Sequence, residues 1–505
     1  MTDPSEAIEK SLMEAAKRLD LTRGLKPRGV VQRVGDGVAF IVGLDDVGYE
    51  ELLRFDSGAL GMAYDLMEDG TGVVLLSDAD HVREGDGVRG QRHLPDLPVG
   101  PATLGRILDP LGNPLDEGPT LSAHGSLPLF RPAPELVERK SVDETLWTGV
   151  MAIDAAIPIG RGQRELIIGD RNVGKTALAL DIVAAQQSGD VACVYVVIGQ
   201  PMSRVLTLKN DLQQAGCLEN TVIIAADASA SPGIQYLAPY AGASVAEWFR
   251  DNGEHALVIY DDLTKHADAY RELALLLNRP PGREAFPGDI FHIHAELLER
   301  AAALRPDLGG GSVTAFPLIE TTDGDISSYI PTNLISITDG QIYLDAVRFE
   351  RDQRPAVDIG RSVSRIGRVA QSPLMRTVAK NLRILISRFE SLEALTRVGL
   401  EMDAGMQQTI HRGHMLRELL RQTPLARRGL VEQAIALMAV NEGWLDGLTL
   451  KQIRPFVEAL VARARREIKG VMEQLTSGDL PGEDGLASLA KLASQLRSRQ
   501  LESNP

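Results

Sequence analysis

Residues 169–176 read Gly-Asp-Arg-Asn-Val-Gly-Lys-Thr, a complete G-x-x-x-x-G-K-[ST] pattern for binding nucleotide phosphates. The two glycines let the backbone turn tightly with its N–H groups inward, and the positive end of the following helix dipole favours an anion there. Lys175 would supply a charge for the β- and γ-phosphates, and the Thr176 hydroxyl would ligate Mg²⁺. An ordinary glycine turn is the alternative. The predicted nucleotide-binding residues of this loop are Gly169, Asp170, Arg171, Asn172, Val173, Gly174, Lys175 and Thr176.

A second part of such a site is an apolar strand that ends in an acid. Residues 255–263, HALVIYDDL, provide it with Asp261 and Asp262. We predict that Asp261 holds the Mg²⁺ shell together with Thr176. Without the phosphate loop, an acidic pair at this position would more simply cap the next helix.

Hydrolysis requires a further group that polarises the attacking water. In this type of ATPase that group is usually a carboxylate after the strand that follows the phosphate-loop helix. Here the run VACVYVVIG, 191–199, is followed by Gln200. An amide cannot accept a proton at neutral pH, although Gln orients water in some GTPases. We therefore expect this chain to bind ATP or ADP with Mg²⁺ and to turn it over slowly or not at all.

The elements that must position these residues are predicted from the composition and hydrophobic pattern of each segment. Short valine-rich runs broken by Gly over 29–95 predict a small β-barrel or sandwich, and the Pro- and Gly-rich stretch 96–141 predicts an extended connection. Over 149–371, apolar runs alternate with helical stretches, which predicts a RecA-like α/β domain with a largely parallel sheet. The strands predicted there are ELIIG, VACVYVVIG, NTVIIAA, HALVIYDD, SVTAFPLIE and NLISITDG.

The remaining segments have helical periodicity. From Leu374 onward the predicted strands end, and 379–402 and 450–475 have the period of amphipathic helices, which predicts a C-terminal α-helical bundle with a frayed tail after Ser477. Residues 1–27 form either a frayed surface helix or a helix that docks on a partner. The predicted domains are an N-terminal helical extension 1–27, a β-barrel 28–95, a nucleotide-binding α/β domain 96–373 and a helical domain 374–505.

Composition narrows the class of protein. The chain has 505 residues, 44% of them apolar and 24% charged, as expected of a soluble protein with several domains. A net charge of −16 argues against nucleic-acid binding. Cys193 and Cys217 are predicted to be reduced thiols in a cytoplasmic protein, not a disulfide or a metal site. No apolar run approaches the ~18 residues that span a bilayer, so other chains would hold this one at a membrane.

Long stretches of the sequence closely resemble the alpha subunits of F-type rotary ATP synthases, as a divergent bacterial-type member. The resemblance runs from about Gly29 to Gln474 and is carried by TGVMAIDAAIPIGRGQRELIIGDRNVGKT, VYVVIGQ, IQYLAPYAGASVAEWFRDNGEHALVIYDDLTKHADAYRELALLLNRPPGREAFPGD, YIPTNLISITDGQIYL and SVSRIGRVAQ. It implies the same order of barrel, α/β and helical domains. It also implies a ring in which alpha and beta subunits alternate around a gamma shaft. In that ring alpha sites hold Mg-ATP unchanged, while beta sites, with Glu at the position of Gln200, do the chemistry.

The resemblance assigns roles to residues outside the phosphate loop. Arg365 would be the arginine that reaches into the neighbouring beta site, where its planar fork of donors suits the developing phosphoryl charge. Taken alone, Arg365 would be read as a surface salt-bridge partner. Ser362 would assist it or simply hold a turn. Three further residues would line the adenine pocket: Arg354, Pro355 and Gln422.

The sequence also departs from the family pattern. Asn172-Val173 stands where the family usually has Gln-Thr, and the stretch after Gln200 lacks a Lys-Arg pair. Pro424 replaces a second glutamine expected two positions after Gln422. These changes would weaken the hold on the alpha-site nucleotide.

The predicted function is that of a regulatory, largely non-catalytic nucleotide-binding subunit of an ATP synthase head. The complex would be a translocase that couples ATP synthesis or hydrolysis to H⁺ or Na⁺ transport at the cytoplasmic face of the plasma membrane. The extension 1–27 would meet the delta subunit and peripheral stalk, and membrane contact would come only through the membrane sector. A self-sufficient hexameric motor similar to Rho or a secretion ATPase is the main alternative, and a nucleotide-sensing scaffold is another. A motor would need Glu in place of Gln200 and, for Rho, nucleic-acid loops that an acidic chain with 4% aromatic residues does not suggest.

Overall fold

The computed structural model describes residues 28–77, 79–121, 124–187, 189–397 and 403–502. Their contacts divide them into two compact units. One contains the residues up to Pro95 with Ser231–Ile234 and Arg271–Pro280, and the other contains the rest. A closed barrel, a central α/β region and a C-terminal helical region follow one another, which confirms the predicted fold class. The helix predicted for 1–27 lies outside the described residues.

The first unit is built on a six-stranded barrel whose strands are all antiparallel to their neighbours, in the order β1-β2-β5-β4-β3-β6. Because β1 pairs with both β2 and β6, the sheet closes and the sandwich alternative is excluded. Ile41, Leu53 and Val73 are fully buried in its interior. The strands are β1 Gly29–Gly35, β2 Val38–Val42, β3 Leu52–Phe55, β4 Leu60–Met67, β5 Gly70–Leu75 and β6 Gly87–Gly90.

The second unit contains an eight-stranded sheet in the order β16-β15-β10-β14-β13-β11-β12-β8, parallel except at β16. Its inner strands β11, β13 and β14 are apolar runs of 7 to 10 residues because a parallel sheet is covered on both faces. The strands of this unit are β7 Asp96–Val99, β8 Ile107–Leu108, β9 Gly125–Pro128, β10 Leu166–Asp170, β11 Val191–Gln200, β12 Thr221–Asp227, β13 His255–Asp261, β14 Ser312–Thr321, β15 Gly340–Leu344 and β16 Val363–Ser364.

The segment 96–141 is more ordered than an extended connection. It contributes β8 to the edge of the large sheet, and β7 pairs with β9 in a sheet of two strands. These strands have two to four residues each and are separated by Pro and Gly, so their periodicity is too short to be seen in the sequence.

The sequence prediction of a strand over NLISITDG is wrong. Most of that run belongs to a helix, Tyr329–Ile337, and the strand follows at Gly340–Leu344. Ile330 and Leu334 are buried one helical turn apart, and Pro331 lies in the first turn, where its missing N–H costs little. The buried spacing of four residues therefore decides for a helix over a strand.

The helices of the α/β region connect its strands. They are α1 Met151–Ala156, α2 Lys175–Ala184, α3 Met202–Gln214, α4 Pro232–Asp251, α5 Leu263–Leu276, α6 Ile290–Glu299, α7 Tyr329–Ile337 and α8 Ala346–Glu350. Segments of α4 and α5 belong to the barrel unit by their contacts. Each strand-to-helix turn opens at the carboxyl edge of the parallel strands, where ligands bind in open α/β sheets.

The C-terminal region is helical, as predicted, but the described part of its tail, up to residue 502, is not frayed. Residues 483–502 form a helix that packs on the helix over 450–467, with Leu489, Leu492 and Ala493 buried. The helices are α9 Pro373–Val378, α10 Leu382–Arg397, α11 Ala404–Leu420, α12 Leu430–Asn441, α13 Leu450–Glu467, α14 Lys469–Thr476 and α15 Glu483–Glu502. In the described part of the chain, no helix combines the length and apolar character needed to cross a membrane.

Candidate functional site

The loop 169–176 joins β10 to α2, the strand–turn–helix context that the motif requires. Gly174, with φ of 95°, ends the loop in the left-handed region, which glycine adopts without a Cβ penalty. A Cβ at Gly169 would lie 2.7 Å from the Leu344 carbonyl oxygen, so this position also needs glycine. Asn172, with φ of 65°, is a residue type that tolerates this conformation. The loop therefore has the backbone of an anion nest.

Lys175 is buried, with 6% of its surface exposed. Its Nζ donates to the carbonyl oxygens of Gly169 at 2.9 Å and Asp170 at 2.7 Å, and the nearest carboxylate oxygen, on Glu320, is 3.9 Å away. Burial lowers the pKa of Lys175, opposed by the surrounding carboxylates. A buried ammonium beside a nest of loop amides is suited to an anionic ligand, since a phosphate would compensate the charge for its loss of water.

Asp261 ends β13 and collects the neighbouring donors. Its Oδ2 accepts from the Thr176 hydroxyl at 2.9 Å and from the Tyr195 hydroxyl at 2.8 Å. Its Oδ1 accepts from Gln200 Nε2 at 2.9 Å. Burial raises the pKa of Asp261, and these three hydrogen bonds oppose the shift. The structure thus brings Thr176 and Asp261 together as predicted, and their oxygen atoms are ligands that Mg²⁺ prefers.

Asp262 caps the helix that follows it, which is the alternative role considered for the acidic pair. Its Oδ1 accepts from the backbone N–H of Lys265 at 2.9 Å, in the first turn of α5. Burial, reinforced by the charge of Asp261, raises the pKa of Asp262 to about 7. The acidic pair is divided between two tasks: the first carboxylate faces the phosphate loop, and the second caps a helix.

Gln200 is oriented by Asp261. Its Nε2 donates to the Asp261 carbonyl oxygen at 3.1 Å as well as to the carboxylate. Gln200 is the last residue of β11, which pairs with β13 in parallel. The side chain at the position predicted for a general base is therefore an amide that donates to the carbonyl oxygen and the carboxylate of Asp261.

The residues predicted to line the adenine pocket are also brought together. The Gln422 backbone N–H donates to the Arg354 carbonyl oxygen at 2.7 Å, and Arg354 is joined to Pro355 by a cis peptide bond. The Arg354 guanidinium lies 5.0 Å from the centroid of the Phe349 ring. A Cβ on Gly174 would be 3.6 Å from that ring, so Phe349 lies beside the phosphate loop.

The polar atoms of Gln422 are used within the fold. Its Oε1 accepts from the Met151 N–H at 2.7 Å, and its Nε2 donates to the carbonyl oxygens of Gly149 at 2.9 Å and Ala426 at 2.8 Å. With 7% of its surface exposed, the side chain ties the turn after α11 to the start of α1. These bonds hold the backbone of the two segments together and leave the predicted contact with adenine untested.

Arg365 lies elsewhere, directly after the edge strand β16. The sheet order β16-β15-β10 separates it by one strand from the strand that leads into the phosphate loop. Its backbone N–H donates to the Asp339 carbonyl oxygen at 2.8 Å, whereas its exposed guanidinium makes one long hydrogen bond, 3.2 Å to the Ile335 carbonyl oxygen. The backbone is anchored and the charged head faces outward.

Ser362 is fully buried. Its hydroxyl donates to the Asp358 carbonyl oxygen at 2.6 Å and accepts from the Tyr343 N–H at 2.9 Å. These two hydrogen bonds hold a turn, which is one of the two roles considered for Ser362. Its assistance to Arg365 at a neighbouring site stays a prediction.

Three site residues were missed at the sequence level: Tyr195, Glu320 and Phe349. Tyr195 lies in the middle of an apolar run, and its one signal is a hydroxyl on an otherwise apolar buried strand. Glu320 is the last residue but one of an apolar strand, β14, and Asp261 ends β13, so a search for acids at strand ends could have found it. Phe349 follows the sheet at α8 and carries no motif.

Two family models match the chain. The ATP synthase alpha/beta family, nucleotide-binding domain, matches residues 149–364. The ATP synthase alpha/beta chain, C terminal domain, matches residues 371–496. Together the two matches take in the phosphate loop, Gln200, Asp261 and Gln422.

Curated relatives extend the similarity into the barrel. The ATP synthase subunit alpha of Aquifex aeolicus is 47% identical over 472 residues, 93% of each chain. That of Streptococcus gordonii is 47% identical over 469 residues, 92% of this chain and 94% of the relative. ATP synthase subunit alpha 2 of Burkholderia thailandensis is 50% identical over 432 residues, 86% of this chain and 78% of the relative.

Proposed function

This chain belongs to the ATP synthase alpha/beta family and has the alpha-subunit role, and from that premise we propose that it is the non-catalytic nucleotide-binding subunit of the synthase head. The observation that carries the proposal is Gln200. A competent ATPase needs a base at this position, and the chain has an amide that donates to Asp261. Turnover by the chain alone is therefore negligible in this proposal.

The ligand we propose for the chain's own site is ATP or ADP with Mg²⁺. The buried ammonium of Lys175 and the nest of loop amides would hold the phosphates, and Thr176 with Asp261 would hold the metal, which neutralises phosphate charge. Phe349, with the Arg354–Pro355 segment beside it, would flank the base. Gln422 would fix that segment through its backbone bond to Arg354.

The catalytic contribution we propose for this chain is made to another subunit. Arg365 has an anchored backbone and an exposed guanidinium, which is how a group that acts across an interface must be held. Its recipient would be the adjacent beta site in an alternating ring around the gamma shaft. We also propose that 1–27 contacts the delta subunit and the peripheral stalk, and that the complex lies at the cytoplasmic face of the membrane. The whole complex would translocate H⁺ or Na⁺. The proposed domain limits are 1–27, 28–95, 96–373 and 374–505.

The self-sufficient motor is not favoured. It would have to catalyse with its own phosphate loop, but Asp261 holds the side chain at position 200 as a donor. The three relatives described above match over most of the chain, and each is named as an ATP synthase alpha subunit.

The test compares the purified chain alone with the chain reconstituted with beta and gamma subunits. The chain alone should bind Mg-ATP in an equilibrium titration and release phosphate at a rate at least 100-fold below the ~1 to 100 s⁻¹ of competent phosphoryl-transfer enzymes. Adding beta and gamma should restore turnover, and beta with gamma alone is the control. Turnover in that range by the chain alone would favour the motor.

A further inference from the structure

A buried carboxyl group lies behind the loop that carries Arg365. Glu165, the residue before β10, has none of its surface exposed. Its Oε2 accepts from Gln163 Nε2 at 2.7 Å, and its Oε1 has no hydrogen-bond partner in the described part of the chain. A buried carboxyl oxygen without a partner is costly to keep, so its position calls for a physical explanation.

Glu165 packs against the edge of the sheet. A Cβ on Gly340 would lie 2.6 and 2.9 Å from its two carboxyl oxygens and 2.2 Å from the Val363 carbonyl oxygen. Gly340 pairs with Ser364 in the β15–β16 ladder. The carboxyl group is therefore held against the strand pair that ends one residue before Arg365.

A chain of hydrogen bonds continues from the carboxyl group into the loop. Gln163 Nε2, which donates to Glu165, also donates to Ser364 Oγ at 3.1 Å. Ser364 Oγ donates to the Pro158 carbonyl oxygen at 2.8 Å and accepts from the Gly367 N–H at 3.1 Å. The connection Glu165–Gln163–Ser364 thus fixes the backbone on both sides of Arg365.

The charged groups that act electrostatically on Glu165 come from three elements. Asp339 precedes β15, Arg365 follows β16, and Arg383 lies on α10, where its Nη2 donates to the Ser362 carbonyl oxygen at 3.1 Å. Burial raises the pKa of Glu165 well above its ordinary value. The bond from Gln163 and the two guanidinium charges oppose this shift, and Asp339 adds to it. Burial and the two guanidinium charges therefore act on Glu165 in opposite directions.

We infer that Glu165 is a positioning residue for Arg365, which acts through Gln163 and Ser364 to hold the arginine in its outward orientation toward the neighbouring site. The inference rests on the proposed function, because it assumes that Arg365 acts on a site outside this chain.

The experiment is a double-mutant cycle in full complexes reconstituted with beta and gamma subunits. Glu165→Ala should lower steady-state ATP turnover by about tenfold or more, with KM and nucleotide affinity at the chain's own site within about twofold of wild type. In an Arg365→Ala background, Glu165→Ala should lower turnover by less than about twofold more. Glu165→Gln should recover most of the loss.

Asp154→Asn is the matched control, since Asp154 is another buried carboxyl, bonded to Thr148 and Gln433. Its turnover should follow wild type. If Glu165→Ala fails to assemble, Ser364→Ala tests the inference instead, since it removes the hydroxyl at the end of the hydrogen-bonded connection that lies in the Arg365 loop. The inference is overturned if Ser364→Ala, or an assembled Glu165→Ala, has turnover within about twofold of wild type. It is also overturned if Glu165→Ala lowers turnover as much in the Arg365→Ala background as it does alone. If Arg365→Ala alone leaves turnover intact, the proposed function fails instead.

Discussion

The phosphate loop and the loop around Arg365 hold their charged groups in opposite ways. In the first, Lys175 and Asp261 are buried, and their hydrogen bonds join groups of the same chain. In the second, the backbone is tied to Asp339 and Ser364, while the Arg365 head is exposed with one long bond. A buried ammonium and a buried carboxyl group beside an anion nest are suited to holding a ligand, whereas an anchored and exposed cation is suited to completing a site on another molecule.

Arg365→Ala should have the largest effect. A guanidinium that acts on developing charge stabilises the transition state more than bound substrate, so complex turnover should fall roughly 10³-fold or more. Nucleotide affinity at the chain's own site should stay close to wild type. Arg365→Lys should recover little, because an ammonium does not reproduce the planar fork.

The measurement is single-site and multi-site ATP hydrolysis by complexes of verified stoichiometry. Arg368→Ala is the matched control, since Arg368 is exposed in the same loop and donates to the Lys380 carbonyl oxygen at 3.3 Å. An assembled Arg365→Ala complex within about threefold of wild type, under ~1 kcal/mol of barrier, would remove Arg365 from the proposed role.

Lys175→Ala should affect the other region. Loss of one charge-assisted contact, worth roughly 1.5–3 kcal/mol, should weaken nucleotide binding at the chain's own site by about 10- to 100-fold. Turnover of the assembled complex should stay above about a third of wild type, because the chemistry is proposed for another chain. Equilibrium titration measures the nucleotide affinity and a hydrolysis assay measures the turnover of the complex, with Lys209→Ala on α3 as the control. Complete loss of turnover in a fully assembled ring would place catalysis on this chain.

Much of this contrast was visible in the sequence. The phosphate loop is a short contiguous pattern with a fixed backbone shape, so Lys175 and Thr176 could be predicted from spacing. Asp261 followed because parallel strands end at a common edge. Arg365 came from resemblance alone, since an arginine after a two-residue edge strand carries no local pattern.

Other residues depend on register and packing that one sequence does not reveal. Tyr195 reaches Asp261 because β11 and β13 pair in one register, and Glu165 meets Gly340 only when β10 lies beside β15. Helix α7 was read as a strand because its apolar residues fit either period over so short a run.

Gln200→Glu tests whether the phosphate-loop site lacks only a carboxylate to become catalytic. We expect phosphate release by the isolated chain to change by less than about tenfold, because a carboxyl at 200 would face Asp261, whose charge would raise the pKa of the new group. It would also lack an arginine from a neighbour. Gln200→Ala is the control that removes the bond to Asp261 without adding an acid. Release at the ~1 to 100 s⁻¹ of competent enzymes would show that one side chain separates holding from catalysis.

Ser362→Ala should have the smallest kinetic effect. The substitution leaves the Tyr343 N–H and the Asp358 carbonyl oxygen without their buried hydroxyl partner, which should lower the free energy of unfolding by about 1–3 kcal/mol. Turnover of the assembled complex should remain within about threefold of wild type, because the hydroxyl faces the interior. Denaturant unfolding of the isolated chain and ATP hydrolysis by the complex measure the two quantities.

Ser336→Ala is the control, since that exposed hydroxyl on α7 bonds only within its own helix, to the Thr332 carbonyl oxygen at 2.9 Å. It should change neither quantity. If Ser362→Ala instead lowered turnover as steeply as Arg365→Ala with stability unchanged, the hydroxyl would have to leave its two backbone partners and act at the neighbouring site. The two loops would then differ less than they do here, because an inward-facing group would share in the chemistry that we propose for Arg365.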